Sequence, residues 1–134
     1  EELKNKLVAK IEDATLEVDD LRDFMTLEMQ ICNENEEIQE EVKNFNCVYQ
    51  FLVDGADNAW IKIQDGVFTF GPGLIENPDV TLEMDSDIAI GIYTGEIDST
   101  TAYMDNELNV KGPLPNAVKF RTITEIVREI LGLD

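Results

Sequence analysis

The sequence contains no histidine, two serines and two cysteines among its 134 residues. Without an imidazole there is no Ser–His or Cys–His pair and no histidine-ligated metal. Ser86 and Ser99 both lie outside a G-x-S-x-G motif. Gly71-Pro72-Gly73 places a proline where a phosphate-binding loop needs a backbone donor. These absences predict a protein with no catalytic residues, no metal and no cofactor.

Basic residues are also scarce, with 10 Lys and Arg against 29 Asp and Glu and a net charge of −19. Such a charge repels nucleic-acid phosphates and anionic membranes, so we expect no nucleic-acid partner. The last 24 residues hold four of the ten bases and are the only plausible place for an anionic group: Lys111, Lys119, Arg121 and Arg128.

Long apolar runs are missing too, since none approaches the roughly 18 residues of a membrane span. Cys32 and Cys47 are not in a C-x-x-C motif and are interpreted as buried apolar side chains. Unpaired cysteines suggest a reducing compartment. The C-terminal residues are not a peroxisomal S-K-L signal. We therefore expect a cytoplasmic location.

Carboxylate pairs such as Asp85/Asp87 are numerous because the chain is so acidic. They are interpreted as helix caps and solvated charge, which favour helix N-termini. The stretch from Asp105 resembles the start of a calcium loop, but Val110 and Asn116 replace the glycine and glutamate that such a loop requires. No calcium site is predicted.

Apolar residues recur at helical spacing over residues 2–14, from Asp19 or Asp20 to Cys32, and through Ile38, Val42 and Phe45. The pattern then alternates as in strands over 48–53, 59–63, 67–70 and 80–84, with an Asp65-Gly66 hairpin signal between the second and third. Helical spacing returns after residues 85–87 and after Asp98 or Ser99. A strand over 107–111 precedes a last helix that begins near Pro115. This order predicts one antiparallel or mixed sheet with helices on one face.

Apolar residues that could line a cavity are concentrated between positions 88 and 123. An ordinary filled core is the commoner explanation of such residues, because any domain of this size needs them, and the pattern does not separate the two cases. They are Ile88, Ile92, Tyr93, Tyr103, Met104, Leu108, Val110, Phe120 and Ile123.

Six short segments of the chain, taken together in their order and spacing, form a distinctive pattern. They are YQFLVDG (49–55), AWIKIQDG (59–66), NPDVTLEM (77–84), IYTGEID (92–98), AYM (102–104) and LNVKGP (108–113). From residue 48 to 121 the chain resembles the sterol carrier protein family, also called the SCP2-type sterol-binding domain.

The resemblance implies an α+β fold with a five-stranded, mainly antiparallel sheet and helices packed on one face. It also implies a hydrophobic tunnel that holds fatty acids, fatty acyl-CoA or other lipids and catalyses no reaction. Residues 1–134 would form a single domain, with a helical N-terminal extension at 1–45 and the sheet and tunnel at 46–134. Tyr103, Met104, Phe120 and Ile123 fall in regions that border the tunnel in the family.

Lys119 and Arg121 would then meet the carboxylate or CoA phosphate of the ligand at the tunnel mouth. Complementing the dipole of the last helix explains these two bases equally well. The predicted ligand-binding residues are therefore Ile88, Ile92, Tyr93, Tyr103, Met104, Leu108, Phe120, Ile123, Lys119 and Arg121.

Two other functions remain open. The chain could be a structural or protein-interaction module, with Phe24, Met25 and Met29 on a partner or homodimer surface of the N-terminal helices. It could also be an accessory domain that presents a lipid-like substrate to a partner enzyme.

Overall fold

The N-terminal third of the protein is helical. The structure, a computed structural model, describes residues 2–133. Helix α1 (Glu2–Glu12) is followed by a short 3₁₀ turn, by α2 (Leu21–Glu34) and by α3 (Glu36–Glu41). The Asn35 side chain accepts a hydrogen bond from the Ile38 amide, so it ends one helix and caps the next.

Helix α3 is shorter than its apolar spacing predicts. It ends at Glu41, Val42 is its C-cap, and Asn44 turns the chain with a positive φ of 60°. Placing Phe45 on the helix was therefore wrong, because an asparagine accepts the left-handed conformation that redirects the chain towards the sheet.

Five strands form one mixed sheet in the order β3-β2-β1-β4-β5. The central pair, β1 and β4, is parallel, and the other three pairs are antiparallel. The strands are β1 (Cys47–Asp54), β2 (Ala59–Gln64), β3 (Val67–Pro72), β4 (Val80–Asp85) and β5 (Asn109–Lys111).

The hairpin between β2 and β3 turns at the predicted dipeptide. Asp65 and Gly66 have φ values of 52° and 81°, which is the positive pair that a tight hairpin turn requires. Strand β3 continues through Gly71 to Pro72, two residues beyond its predicted end. Proline is accepted there because β3 is an edge strand and donates nothing on its free side.

The remaining helices are α4 (Ser86–Thr94), α5 (Ser99–Met104) and α6 (Leu114–Ile130). Asp85 caps α4 by accepting from the Ile88 amide at 3.0 Å, and Asp98 caps α5 by accepting from the Thr101 amide at 3.3 Å. Helix α6 begins next to Pro115, as its sequence predicts.

The helices cover one face of the sheet, and the core lies between the two layers. Side chains alternate along each strand, so one face of β1 and β2 presents Tyr49, Phe51 and Ile61 to the helices. Lys62 lies on the other face. This α+β architecture confirms the predicted fold class, including the mainly antiparallel sheet with helices on one face.

Candidate functional site

A cavity of about 930 Å³ lies between the sheet and the helices. Its walls come from α2, from the inner face of four strands and the edge of β5, and from α4, α5 and α6. Aliphatic and aromatic side chains make up most of this wall, and the charged groups are few. Mostly apolar cavities of this size are typical of small-molecule sites.

The sheet supplies one wall through the inward residue of each pleat. Phe51 and Val53 come from β1, Phe70 from β3, and Leu82 and Met84 from β4. Because β1 and β4 are parallel neighbours in register, Phe51 lies beside Leu82 and Val53 beside Met84. This pairing produces a continuous apolar surface at the centre of the sheet.

An aromatic cluster joins this wall to α6. The Phe120 ring lies 5.1 Å from that of Tyr49 and 5.4 Å from that of Phe51, measured between centroids. The Tyr49 hydroxyl donates to the Asn116 carbonyl oxygen at 2.6 Å. These contacts fix the position of α6 over the sheet, and Phe51 and Phe120 also line the cavity.

Helix α4 forms part of the opposite wall with Ala89, Ile92 and Tyr93. Gly95 ends this helix in the left-handed conformation, at a φ of 84°. Arg128 of α6 donates to the Tyr93 carbonyl oxygen at 2.8 Å, so a guanidinium satisfies the C-terminal end of α4. The contact ties two walls of the cavity together.

Part of the cavity wall is exposed to solvent. Tyr103 and Met104 of α5 are 41% and 74% exposed, and Leu114 and Val118 of α6 are 45% and 52% exposed. All four line the cavity. We call these four residues the apolar rim; such large apolar side chains are exposed together most often where something binds.

Charged side chains at the cavity are of both signs. Arg22, Arg121 and Arg128 line it, as do Asp19, Asp57, Asp98 and Glu125. Arg121 lies 3.0 Å from an Asp98 oxygen and 3.6 Å from a Glu125 oxygen. The hydrogen bond from Arg121 lowers the pKa of Asp98 below its ordinary value, so this carboxylate stays ionised.

Seven of the ten predicted binding residues line the cavity, although their role in binding stays a prediction. Val110, which the sequence also placed among the candidates, lines it as well. The seven are Ile92, Tyr93, Tyr103, Met104, Leu108, Phe120 and Arg121.

The other three do not line the cavity, and a role for them in binding stays a prediction. Ile88 and Ile123 are buried in the core and do not reach the cavity wall. Lys119 faces α3, where its ammonium lies 3.8 Å from a Glu41 oxygen and 5.6 Å from the centroid of the Phe45 ring. Residues two positions apart on a helix lie on nearly opposite sides of it. Lys119 and Arg121 therefore cannot both lie at the mouth of the cavity.

The sequence reasoning missed the wall formed by the sheet and by α2. Met25 and the inward residues of β1, β3 and β4 line the cavity, whereas the candidates predicted from the sequence all lie between positions 88 and 123. Their alternation was visible in the sequence, and the expectation that helices cover one sheet face could have identified them.

Buried Glu28 on α2 lies behind this wall. Neither of its carboxyl oxygens has a hydrogen-bond partner among residues 2–133, and its side chain is fully buried. Burial raises its pKa to about 8. The hydroxyl of Tyr93 approaches closely enough to favour the ionised form slightly, without the geometry of a regular hydrogen bond.

A profile of the SCP-2 sterol transfer family matches residues 24–125, which is most of the chain. The chain belongs to the SCP-2 sterol transfer family. Among solved structures, sterol carrier protein 2 from Yarrowia lipolytica superposes with a TM-score of 0.62 at 16% identity, covering 77% of this chain and 88% of that one. This match establishes the shared fold.

Some similar proteins are much longer than this chain. Hydroxysteroid dehydrogenase-like protein 2 of Xenopus tropicalis is 32% identical over 88 residues, which is 63% of this chain and 21% of that protein. A stereoselective inverting sec-alkylsulfatase from Pseudomonas sp. has a TM-score of 0.54 at 15% identity, over 65% of this chain and 14% of that chain. The chain thus spans about a fifth of the curated relatives it matches.

Within residues 2–133, the structure contains no helix that is both long and apolar enough to cross a membrane. Over the same residues, no group of three or more Cys, Asp or Glu side chains is arranged to hold a metal ion.

Proposed function

We propose that this family member binds a long apolar ligand in the cavity between sheet and helices and performs no chemistry on it. The observation that carries the proposal is the cavity itself, about 930 Å³ in volume with an apolar wall. Each buried methylene contributes about 0.8 kcal/mol. A lipid chain would therefore gain several kcal/mol before the ordering costs of binding.

The apolar rim supports the same function. Tyr103, Met104, Leu114 and Val118 expose apolar surface beside the cavity. A ligand that leaves the cavity through this side would remain in contact with apolar groups as it entered water, which lowers the cost of exchange.

A role as an accessory domain is the second candidate. It is favoured by the length of the relatives, since this chain corresponds to about 21% of the dehydrogenase-like protein of Xenopus tropicalis. In such a protein the cavity would hold a lipid-like substrate for a catalytic domain. Both candidates require the same cavity to bind ligand.

An interaction module built on the N-terminal helices has less support. Phe24, Met25 and Met29 were expected on a partner surface, but all three are buried in the core of the chain. That expectation was wrong, because the apolar face of α2 packs within its own domain. A homodimer through the N-terminal helices, a single-domain organisation and a cytoplasmic location all stay predictions.

Native mass spectrometry of the purified protein, followed by extraction and lipid identification, tests the proposal first. We expect a stoichiometric lipid, or its uptake when long-chain lipids are added. A mass that stays that of the bare chain after such incubation would contradict the proposal.

Filling the cavity with a larger side chain tests whether the lipid binds there. Ala117 lines the cavity on α6, so Ala117→Phe should reduce lipid affinity at least about tenfold while the fold persists by circular dichroism. Val67→Phe is the matched control, because Val67 is exposed on β3 and does not line the cavity. Equal affinities in the two variants would place the site elsewhere.

A further inference from the structure

The cations at the cavity are already engaged or lie in solvent. Arg121 lies between two carboxylates, Asp98 at 3.0 Å and Glu125 at 3.6 Å. An incoming carboxylate would have to displace one of these partners and would then lie beside both negative charges. Arg121 is therefore a poor receptor for an anionic head group.

The two other arginines of the wall offer little more. Arg128 donates to the carbonyl oxygens of Tyr93 and Leu133, at 2.8 and 3.4 Å. Arg22 is exposed, and Asp19 of the same wall lies three residues before it. A cation in water attracts an anion weakly because solvent and salt screen the pair.

The balance of charge at the cavity is also unfavourable for anions. Four carboxylates and three guanidinium groups line the described wall, and Lys119 is directed away from it towards Glu41. The whole chain carries a net charge of −19, which adds repulsion at longer range. An acyl-CoA, with its several phosphates, would meet the strongest opposition.

We infer that the cavity selects ligands with an uncharged polar end, such as a long-chain alcohol or a neutral polycyclic lipid, over fatty carboxylates and acyl-CoA. This selectivity deepens the proposed function and rests on it. An uncharged hydroxyl keeps the apolar gain of the cavity without requiring a free cation. A carboxylate would lose part of its hydration on entering the cavity, and Arg121, the cation that could compensate it, is already paired with Asp98 and Glu125.

A matched pair of ligands tests the selectivity. We would measure the affinities of 1-dodecanol and dodecanoate at pH 7.5, by displacement of an uncharged fluorescent probe. We expect dodecanol to bind at least about tenfold more tightly. Added salt should narrow the difference by strengthening dodecanoate binding alone, since screening weakens the repulsion.

Equal affinities, or tighter binding of dodecanoate, would overturn the inference while leaving the proposed function intact. Dodecanoate binding that is lost in Arg22→Gln would do the same and would identify Arg22 as an anion receptor. Binding of neither ligand would instead contradict the proposed function, and the inference with it.

Removing the acidic partners of Arg121 tests whether its ion pairs cause the selectivity against carboxylates. The double substitution Asp98→Asn and Glu125→Gln keeps a capping oxygen for α5 and removes both negative partners of Arg121. We expect dodecanoate affinity to rise several-fold relative to dodecanol affinity measured on the same variant. The control, Glu83→Gln, removes an acid that pairs with Lys111 away from the cavity. A rise of the same size in the control would assign the effect to overall charge and overturn the role of Arg121.

Discussion

At the scale of single residues, Glu28 holds a carboxyl group in an unfavourable environment. Its carboxyl group is fully buried on α2 without a hydrogen-bond partner among residues 2–133, and its pKa is raised from 4.5 to about 8. A raised pKa means that the folded state holds this proton at pH values where the unfolded chain releases it. Below about pH 4.5 the Glu28 carboxyl group is protonated in both the folded and the unfolded state, so its titration does not change the stability. Between about pH 4.5 and about pH 8 the free energy of unfolding falls, because the unfolded chain releases this proton and the folded state does not.

Glu28→Gln should remove this cost, because an amide carries no charge to bury. We expect the variant to gain stability relative to the parent protein as the pH rises, by on the order of 5 kcal/mol above about pH 8. Urea unfolding at pH 5, 7 and 9 measures the difference. A difference in the free energy of unfolding that stays the same from pH 5 to pH 9 would contradict the prediction. Glu129→Gln, at an exposed position of α6, is the control and should show no such trend.

Helical spacing puts Glu28 on the apolar face of α2 but gives no sign that its side chain is buried. It lies four residues from both Phe24 and Cys32, so helical spacing groups the three together. A glutamate at the edge of an apolar face normally reaches water with its flexible stem. Here the side chain is fully buried, on a helix whose Phe24 ring packs 4.6 Å from the ring of Tyr93.

At the scale of elements, local signals in the sequence predicted the boundaries well. Of the candidate caps at 85–87 and at Asp98 or Ser99, the structure uses Asp85 and Asp98, and such signals are readable because each depends on residues within a few positions of the helix end. The parallel pairing of β1 with β4 depends on residues far apart in the chain. The residue pattern alone left the sheet as antiparallel or mixed for that reason.

Gly95 is constrained both by its positive φ and by the nearby Arg128 side chain, and a comparison with Gly73 separates the two effects. An alanine there would adopt a φ of 84°, and its Cβ would meet the guanidinium of Arg128. Gly73 has a similar φ of 79°, with nothing near an added Cβ. We expect Gly73→Ala to cost about 1 kcal/mol and Gly95→Ala clearly more, measured by thermal or urea unfolding. Equal costs would mean that Arg128 moves aside freely and does not fix the end of α4.

At the scale of the whole molecule, charge and cavity are the dominant features. The apolar composition did not separate a filled core from a lined cavity, because both need the same residue types. What separates them is the distance between α4–α6 and the sheet, which depends on the packing of every contact between the layers. The net charge, by contrast, was fixed by composition and needs no structure.

Repulsion among the acidic groups should make stability depend on salt. Raising sodium chloride from about 0.02 to about 0.5 M shortens the screening length from tens of ångströms to a few, so we expect the melting temperature to rise by several degrees. Potassium chloride should have the same effect, since screening is not specific to the ion. A fall with either salt would show that attractive ion pairs, such as Lys10 with Asp20 at 2.8 Å, outweigh the repulsion.

The central parallel pair also bears on the route by which the chain folds. Tyr49 lies beside Val80, which is 31 positions later, and the hairpin of β2 and β3 lies in the chain between them. The β1–β2–β3 meander closes through short turns, whereas β4 joins β1 only after a long loop has been closed. Local pairs form within microseconds, and pairings at long separation slow the overall rate. We therefore expect the cavity wall at Phe51 and Leu82 to form late in folding, after the meander, so that the apolar inner face of the meander is the last part of the sheet to be covered.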